Sequence, residues 1–174
     1  IQLLWDYMNP ALSPFFYEDG TLEKGISAFL MSTGVTELKQ DHTDWNYTIG
    51  ENIATANGYV IFENEILQLL YFPSTGVKAK KNPVFIVPPW INKYYIFDLS
   101  THNSYIKWLT ENNVPVFCIS WVNPDSSFSQ QSFSDYITKG VHAAVQKALD
   151  FSNTKKINYV GYCVGGIALH TYAG

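Results

Sequence analysis

Gly161-Tyr162-Cys163-Val164-Gly165-Gly166 carries the strongest chemical signal in the chain. A cysteine with a glycine two residues away on either side fits a nucleophile elbow, in which a strand ends, a tight turn lifts the nucleophile, and a helix begins. The glycines let strand and helix pass close together, and the nucleophile sits in a strained backbone conformation with its side chain above the sheet. A thiol there lies at the helix N-terminus, where the positive end of the dipole favours thiolate. The N–H of Val164 points toward the same space and can stabilise an oxyanion. The plainer alternative is a buried structural cysteine in an ordinary turn. The second cysteine, Cys118, lies between Phe117 and Ile119 in an apolar run and is read as core.

An elbow needs a strand before it and a helix after it, and the surrounding pattern supplies both. Ile157 to Val160 reads as a buried strand, and the residues after Cys163 continue with helical spacing. Upstream, Tyr59 to Phe62 and Ile66 to Tyr71 are rich in strand formers, with Glu63-Asn64-Glu65 as a hairpin turn. Val84 to Val87 and Val116 to Ile119 are short continuous apolar runs, as expected for strands buried on both faces. Between them, Ser104 to Asn112 reads as a helix turning Tyr105, Ile106, Trp108 and Leu109 to the core. Ser132 to Asp135 looks like a capping box, followed by Ile137, Val141, Ala144, Val145, Ala148 and Leu149 at helical spacing. Strands alternating with helices predict right-handed crossovers and a mostly parallel sheet with helices on both faces. The fold class is therefore α/β, and the elbow makes it an incomplete α/β-hydrolase fold. Residues 1–50 form a helical N-terminal region in which Leu22, Ile26, Phe29, Leu30 and Thr33 mark a helix closed by Gly34. Residues 51–174 form the first part of the catalytic domain, cut after the nucleophile helix.

In this fold the loop after the first parallel strand supplies a second oxyanion donor. That loop begins Pro88-Pro89, and proline has no N–H to give, so the donor is Trp90 or Ile91. A nucleophile of this kind also needs a base and an orienting carboxylate, in the chain order nucleophile, acid, His. Only His170 follows Cys163, and along one helix it is ~10 Å away, too far for a direct hydrogen bond. His42, His102 and His142 precede it, and no Asp or Glu follows. By itself the chain is expected not to turn substrate over, and the strand Ile157 to Val160 is expected to have an open edge.

The composition narrows the alternatives. With 47% hydrophobic and 15% charged residues the chain is globular rather than disordered. A net charge of −4 and the lack of a basic stripe argue against nucleic acid; the clusters Lys78, Lys80, Lys81 and Lys155, Lys156 read as solvated turns. Two cysteines 45 residues apart make neither a disulfide framework nor a metal motif, and no metal or cofactor is called for. No signal peptide opens the chain and no apolar run is long enough for a transmembrane segment, so the default location is cytoplasmic.

Four stretches together resemble the polyhydroxyalkanoate synthases, or poly(3-hydroxyalkanoate) polymerases. They are Gly58 to Glu65, Val87-Pro88-Pro89-Trp90-Ile91-Asn92-Lys93-Tyr94-Tyr95-Ile96-Phe97-Asp98-Leu99, Ile119 to Asp125, and Gly161 to Gly166. The second and fourth are the most specific; Val122 departs from the basic residue common at its position. The resemblance implies an acyltransferase that takes (R)-3-hydroxyacyl-CoA as substrate, moves the acyl group to Cys163, and extends a polyester chain with release of CoA. It implies that the family's Asp and His follow Gly174, and that the partners are the acyl-CoA, the growing polyester and the polyester granule surface. Oligomeric state, a homodimer included, and acyl side-chain length stay open. Two other readings remain: a cysteine esterase or thioesterase of the same fold, and a non-catalytic granule-binding module.

Overall fold

A computed structural model describes residues 47–76, 79, 80, 82–90 and 92–174, and Tyr47–Gly174 form one unit. The expected helix closed by Gly34 lies outside these residues, as do His42, Lys78, Lys81 and Ile91. Seven strands are described: β1 (Tyr59–Glu63), β2 (Leu67–Phe72), β3 (Val84–Val87), β4 (Asp98–Ser100), β5 (Asn103–Ser104), β6 (Val116–Trp121) and β7 (Asn158–Gly161). The helices are α1 (Tyr105–Glu111), α2 (Phe133–Asp135), α3 (Ala143–Ser152) and α4 (Val164–Ala173), with a π-helical stretch, Tyr136–His142, joining α2 to α3.

The main sheet runs β1-β2-β6-β3-β7. β1 and β2 form the expected hairpin, closed by Asn64: its side-chain oxygen accepts from the N–H groups of Ile66 (3.0 Å) and Leu67 (3.1 Å). β2 then pairs antiparallel with β6, so the hairpin extends the sheet instead of standing apart from it. β6, β3 and β7 are parallel. The α/β class with a mixed, partly parallel sheet follows from these pairings. β4 and β5 make a separate two-stranded ribbon that the sequence pattern did not announce.

Helices cover both faces. On one, Ile106 and Leu109 of α1 pack with Leu70, Ile86, Val116 and Cys118. On the other, Val141, Ala144, Val145 and Ala148, joined by Ala168 and Leu169 of α4, pack on Leu67, Leu69, Phe85 and Phe117. Every residue of β3 is buried, as a continuous apolar run implies for a central strand. Two expectations fail. Tyr105 and Trp108 do not face the core: they are 40% and 57% exposed and stack on each other at 6.0 Å, because a seven-residue helix turns only one narrow stripe to the sheet. β7 is not a buried strand: Asn158 and Tyr159 are exposed, because β3 is its sole partner among the described residues. The expected open edge is that same unpaired side of β7.

The capping box is formed as read. Ser132 Oγ accepts from Asp135 N, and the Asp135 carboxylate accepts from the N–H and hydroxyl of Ser132. Among the described residues no helix is long and apolar enough to cross a membrane, and no cluster of His, Cys, Asp and Glu could hold a metal ion.

Candidate active site at the ends of two parallel strands

Sheet order alone marks where a ligand belongs. From β3 the chain crosses over α1 to β6 on one side, then returns over α3 to β7 on the other. The connections therefore diverge at β3 and β7, and in open α/β sheets the crevice beyond the carboxyl ends at such a switch point takes the ligand. Val87 and Gly161, the last residues of the two strands, lie side by side in register. The segments leaving that point together are Pro88-Pro89-Trp90 and Tyr162-Cys163, the two loops singled out from sequence.

Cys163 is exposed and sits at φ 54°, ψ −128°, as N-cap of α4. The described non-glycine residues at positive φ are Ala54, Asn113, Asn153 and Cys163; Asn113 and Asn153 follow the helices α1 and α3, where asparagine tolerates the left-handed region. Cys163 has no such excuse, and a conformation of this kind costs roughly 1–3 kcal/mol. Packing sustains it. Tyr162 N–H donates to Val87 O (3.2 Å), and Gly166 N–H donates to Cys163 O (2.9 Å). A Cβ on Gly161 would lie 2.6 Å from Gly166 Cα, and one on Gly165 would lie 2.2 Å from Val87 O and 2.6 Å from Pro88 O. The flanking glycines are thus required by a close approach of strand, loop and helix. Val164 opens α4, and its N–H is one of the first four without an intrahelical acceptor.

On the facing loop, the Trp90 ring stacks on Tyr136 (4.6 Å, 25°) and meets Trp121 edge-on (5.9 Å, 88°). Ile91, the alternative donor, lies outside the described residues. Lys93 Nζ donates to Asn123 Oδ1, tying the rest of the loop to the segment after β6. A cavity of about 230 Å³ opens beside the elbow, lined by Asn92, Ile96, Phe97 and Tyr162. Phe97 and Tyr162 meet edge-on at 6.0 Å across it.

Among the described residues, no histidine has a recorded hydrogen bond or ring contact with the residues of this arrangement. His102 and His170 are exposed, and His142 packs its ring near Tyr172 (5.8 Å) at the far end of α4 from Cys163. Cys118 is fully buried, and burial pushes its thiol above the ordinary range, with the Asp98 carboxylate adding to the effect; it is core, as read.

Sequence reasoning missed two residues. Asp98 is fully buried; its Oδ2 accepts from Ala56 N–H (2.7 Å) while Oδ1 finds no partner among the described residues. A lone acid closing the apolar run Tyr94-Tyr95-Ile96-Phe97 was the available signal. Trp121 was the other: it lies in the family-like stretch Ile119 to Asp125, but nothing local gave it a role.

Comparison with known proteins bears on what such a site does. Residues 9–109 match the family described as poly-beta-hydroxybutyrate polymerase (PhaC) N-terminus. A poly(3-hydroxyalkanoate) polymerase subunit PhaC of Cupriavidus necator is 37% identical over 166 residues, covering 94% of this chain and 28% of that protein. The subunit of the same name from Rhizobium meliloti is 37% identical over 151 residues, covering 83% and 25%. A poly(3-hydroxyalkanoate) polymerase of Methylorubrum extorquens is 35% identical over 166 residues, covering 92% and 27%. The chain thus spans about a quarter of the length of these curated relatives.

Proposed function

The chain belongs to the poly(3-hydroxyalkanoate) polymerase family, and from that premise we propose that Cys163 takes the acyl group of an (R)-3-hydroxyacyl-CoA and passes it to a growing polyester. The observation that carries this reading is the Cys163 backbone, held at φ 54° at the head of α4 where β3 and β7 diverge. Strain kept at a crevice by three close-packed glycines is hard to explain for a merely structural cysteine.

In the proposed reaction the Cys163 thiolate attacks the thioester carbonyl. The oxyanion is met by the N–H of Val164 and by that of Trp90 or Ile91. The C–S bond to CoA breaks and CoA leaves as thiolate, giving an acyl-Cys163 thioester. The hydroxyl of the next unit attacks that carbonyl, loses its proton to a base, and frees Cys163. Thioester for thioester is a nearly balanced exchange, so the bound acyl group stays reactive. The cavity lined by Ile96, Phe97 and Tyr162 is small beside a typical ligand pocket and suits an acyl group more than a whole CoA.

The elbow between a parallel strand and a helix also supports an α/β-hydrolase fold. On this reading the base and its carboxylate follow Gly174, residues 1–174 alone turn over no substrate, and the working acyltransferase acts in the cytoplasm at a polyester granule surface, with a homodimer as one arrangement. The test is Cys163→Ser in a polypeptide extended to the relatives' length. A serine hydroxyl ionises far less readily and forms a poorer acyl donor. Retained circular dichroism with loss of most CoA release and polymer formation is the expected result; activity within about twofold of wild type would exclude Cys163 as the essential nucleophile.

A further inference from the structure

We infer that Trp121 is a positioning residue for acyl transfer: its indole N–H holds the Pro88 carbonyl and thereby sets the loop that carries the Trp90 N–H opposite Cys163. The inference rests on the reading of Cys163 as acyl acceptor and adds the residue that fixes the other half of the oxyanion site.

Trp121 ends β6, one strand over from β3, and its Nε1 donates to Pro88 O at 2.7 Å in a buried setting. That carbonyl is the same one a Gly165 Cβ would strike at 2.6 Å. Pro88 O is therefore wedged between the first turn of α4 and the Trp121 indole, which leaves the peptide little freedom to rotate. Prolines 88 and 89 cannot anchor the loop through N–H groups of their own, so an acceptor bond from the loop carbonyl is the available tether.

Trp121 is itself held. A Cβ on Gly140 would come within 2.9 Å of its ring, so the π-helical stretch lies directly against the indole. Tyr136, at the start of that stretch, meets Trp121 at 5.4 Å and stacks under Trp90 at 4.6 Å. The extra residue of a π turn shifts which side chains face inward, and such turns gather at functional sites. Here it presents Tyr136 and Gly140 to the two tryptophans together. A tryptophan that needed only some acceptor for a buried N–H would not require Trp90, Tyr136 and Gly140 packed around its ring as well.

Oxyanion stabilisation demands donors placed to a fraction of an ångström, and a misplacement of about 1 Å costs on the order of 10²-fold in rate. Displacement of iodide from iodoacetamide by a thiolate forms no oxyanion. The two reactions at one sulfur therefore separate the donor loop from the nucleophile. The test uses the polypeptide extended to the relatives' length, at about pH 9, where an ordinary thiol ionises without a base. Acylation of Cys163 by 3-hydroxybutyryl-CoA and its alkylation by iodoacetamide are followed by peptide mass spectrometry. The variants are Trp121→Phe and a replacement of Trp121 by 3-benzothienylalanine, which keeps the ring shape and deletes the donor.

In both variants acylation is expected to slow at least ~10-fold while alkylation stays within about twofold. Equal acylation of wild type and the benzothienyl variant would overturn the role of Trp121 while leaving Cys163 as acceptor. Acylation and alkylation falling together in that variant would mean that Trp121 supports the whole elbow, and would also overturn it. A wild-type chain that alkylates but never acylates would overturn the functional reading itself.

Discussion

Replacing Gly165 by alanine tests the elbow at its tightest point. The added Cβ would lie 2.2 Å from Val87 O, 2.6 Å from Pro88 O and 2.7 Å from Pro88 C. Carbon and oxygen rest about 3.3 Å apart at their closest favourable contact, so the methyl must gain about 1 Å. Both obstacles are backbone: Val87 O is pinned by Tyr162 N–H, and Pro88 O by the Trp121 indole. No side chain can swing aside, so α4 or the Pro88 loop must move. Overpacking of a rigid site costs about 1–3 kcal/mol, and this one belongs near the upper end. For a domain of this size that lowers Tm by roughly 4–10 °C. The same ~1 Å shift separates Val164 and Trp90 from a common oxyanion, which predicts a loss of about 10²-fold in acyl transfer to Cys163. Thermal unfolding and acylation by 3-hydroxybutyryl-CoA measure the two effects on one sample. A Gly165→Ala chain with unchanged Tm and acylation within about threefold would refute the close-approach argument, and with it the account of why glycine stands there.

Two further outcomes follow from single residues. Cys163→Gly removes the positive-φ penalty and is expected to raise stability by about 1 kcal/mol in urea unfolding, even after glycine's larger unfolded entropy is counted; a lowered midpoint would mean that the backbone there is unstrained. The Asp135 carboxyl is held down to about 2 by the hydrogen bond from the Ser132 hydroxyl, then the Ser132 N–H and Lys139, so its cap is fully present above about pH 4 and is lost as pH falls through about 2. A carboxyl-carbon NMR titration of Asp135 with a midpoint near 4 would show that the box is not formed in solution.

Much of this protein could be read locally. The hairpin turn at Asn64, the all-buried run Val84 to Val87, the Ser132 capping box and the elbow at Cys163 each depend on neighbours a few residues away, and each stands where periodicity and turn chemistry put it. What the local pattern could not carry was partnership at long range. Residues Ile157 to Val160 have the composition of a buried strand, yet burial depends on what lies alongside, and β7 has β3 alone among the described residues. Tyr105 and Trp108 have the hydrophobicity of core residues, but α1 buries Ile106, Leu109 and Thr110 instead. The flanking glycines could be recognised as necessary from their spacing; that the obstacle is the carbonyl of Pro88, 77 residues before Gly165, is a fact of strand order. Asp98 and Trp121 lie in the family-like stretches, yet their roles escaped notice for the same reason. An acid after four apolar residues and a tryptophan at a strand end look ordinary in one dimension, and only the crossing of chain segments far apart in sequence brings Ala56 N–H to the one and Pro88 O to the other. Residue type and short spacing fix dihedral preference and reactivity within a few bonds, whereas the placement of two loops over one crevice is set by β3 pairing with β6 on one side and β7 on the other, a choice made by the whole sheet.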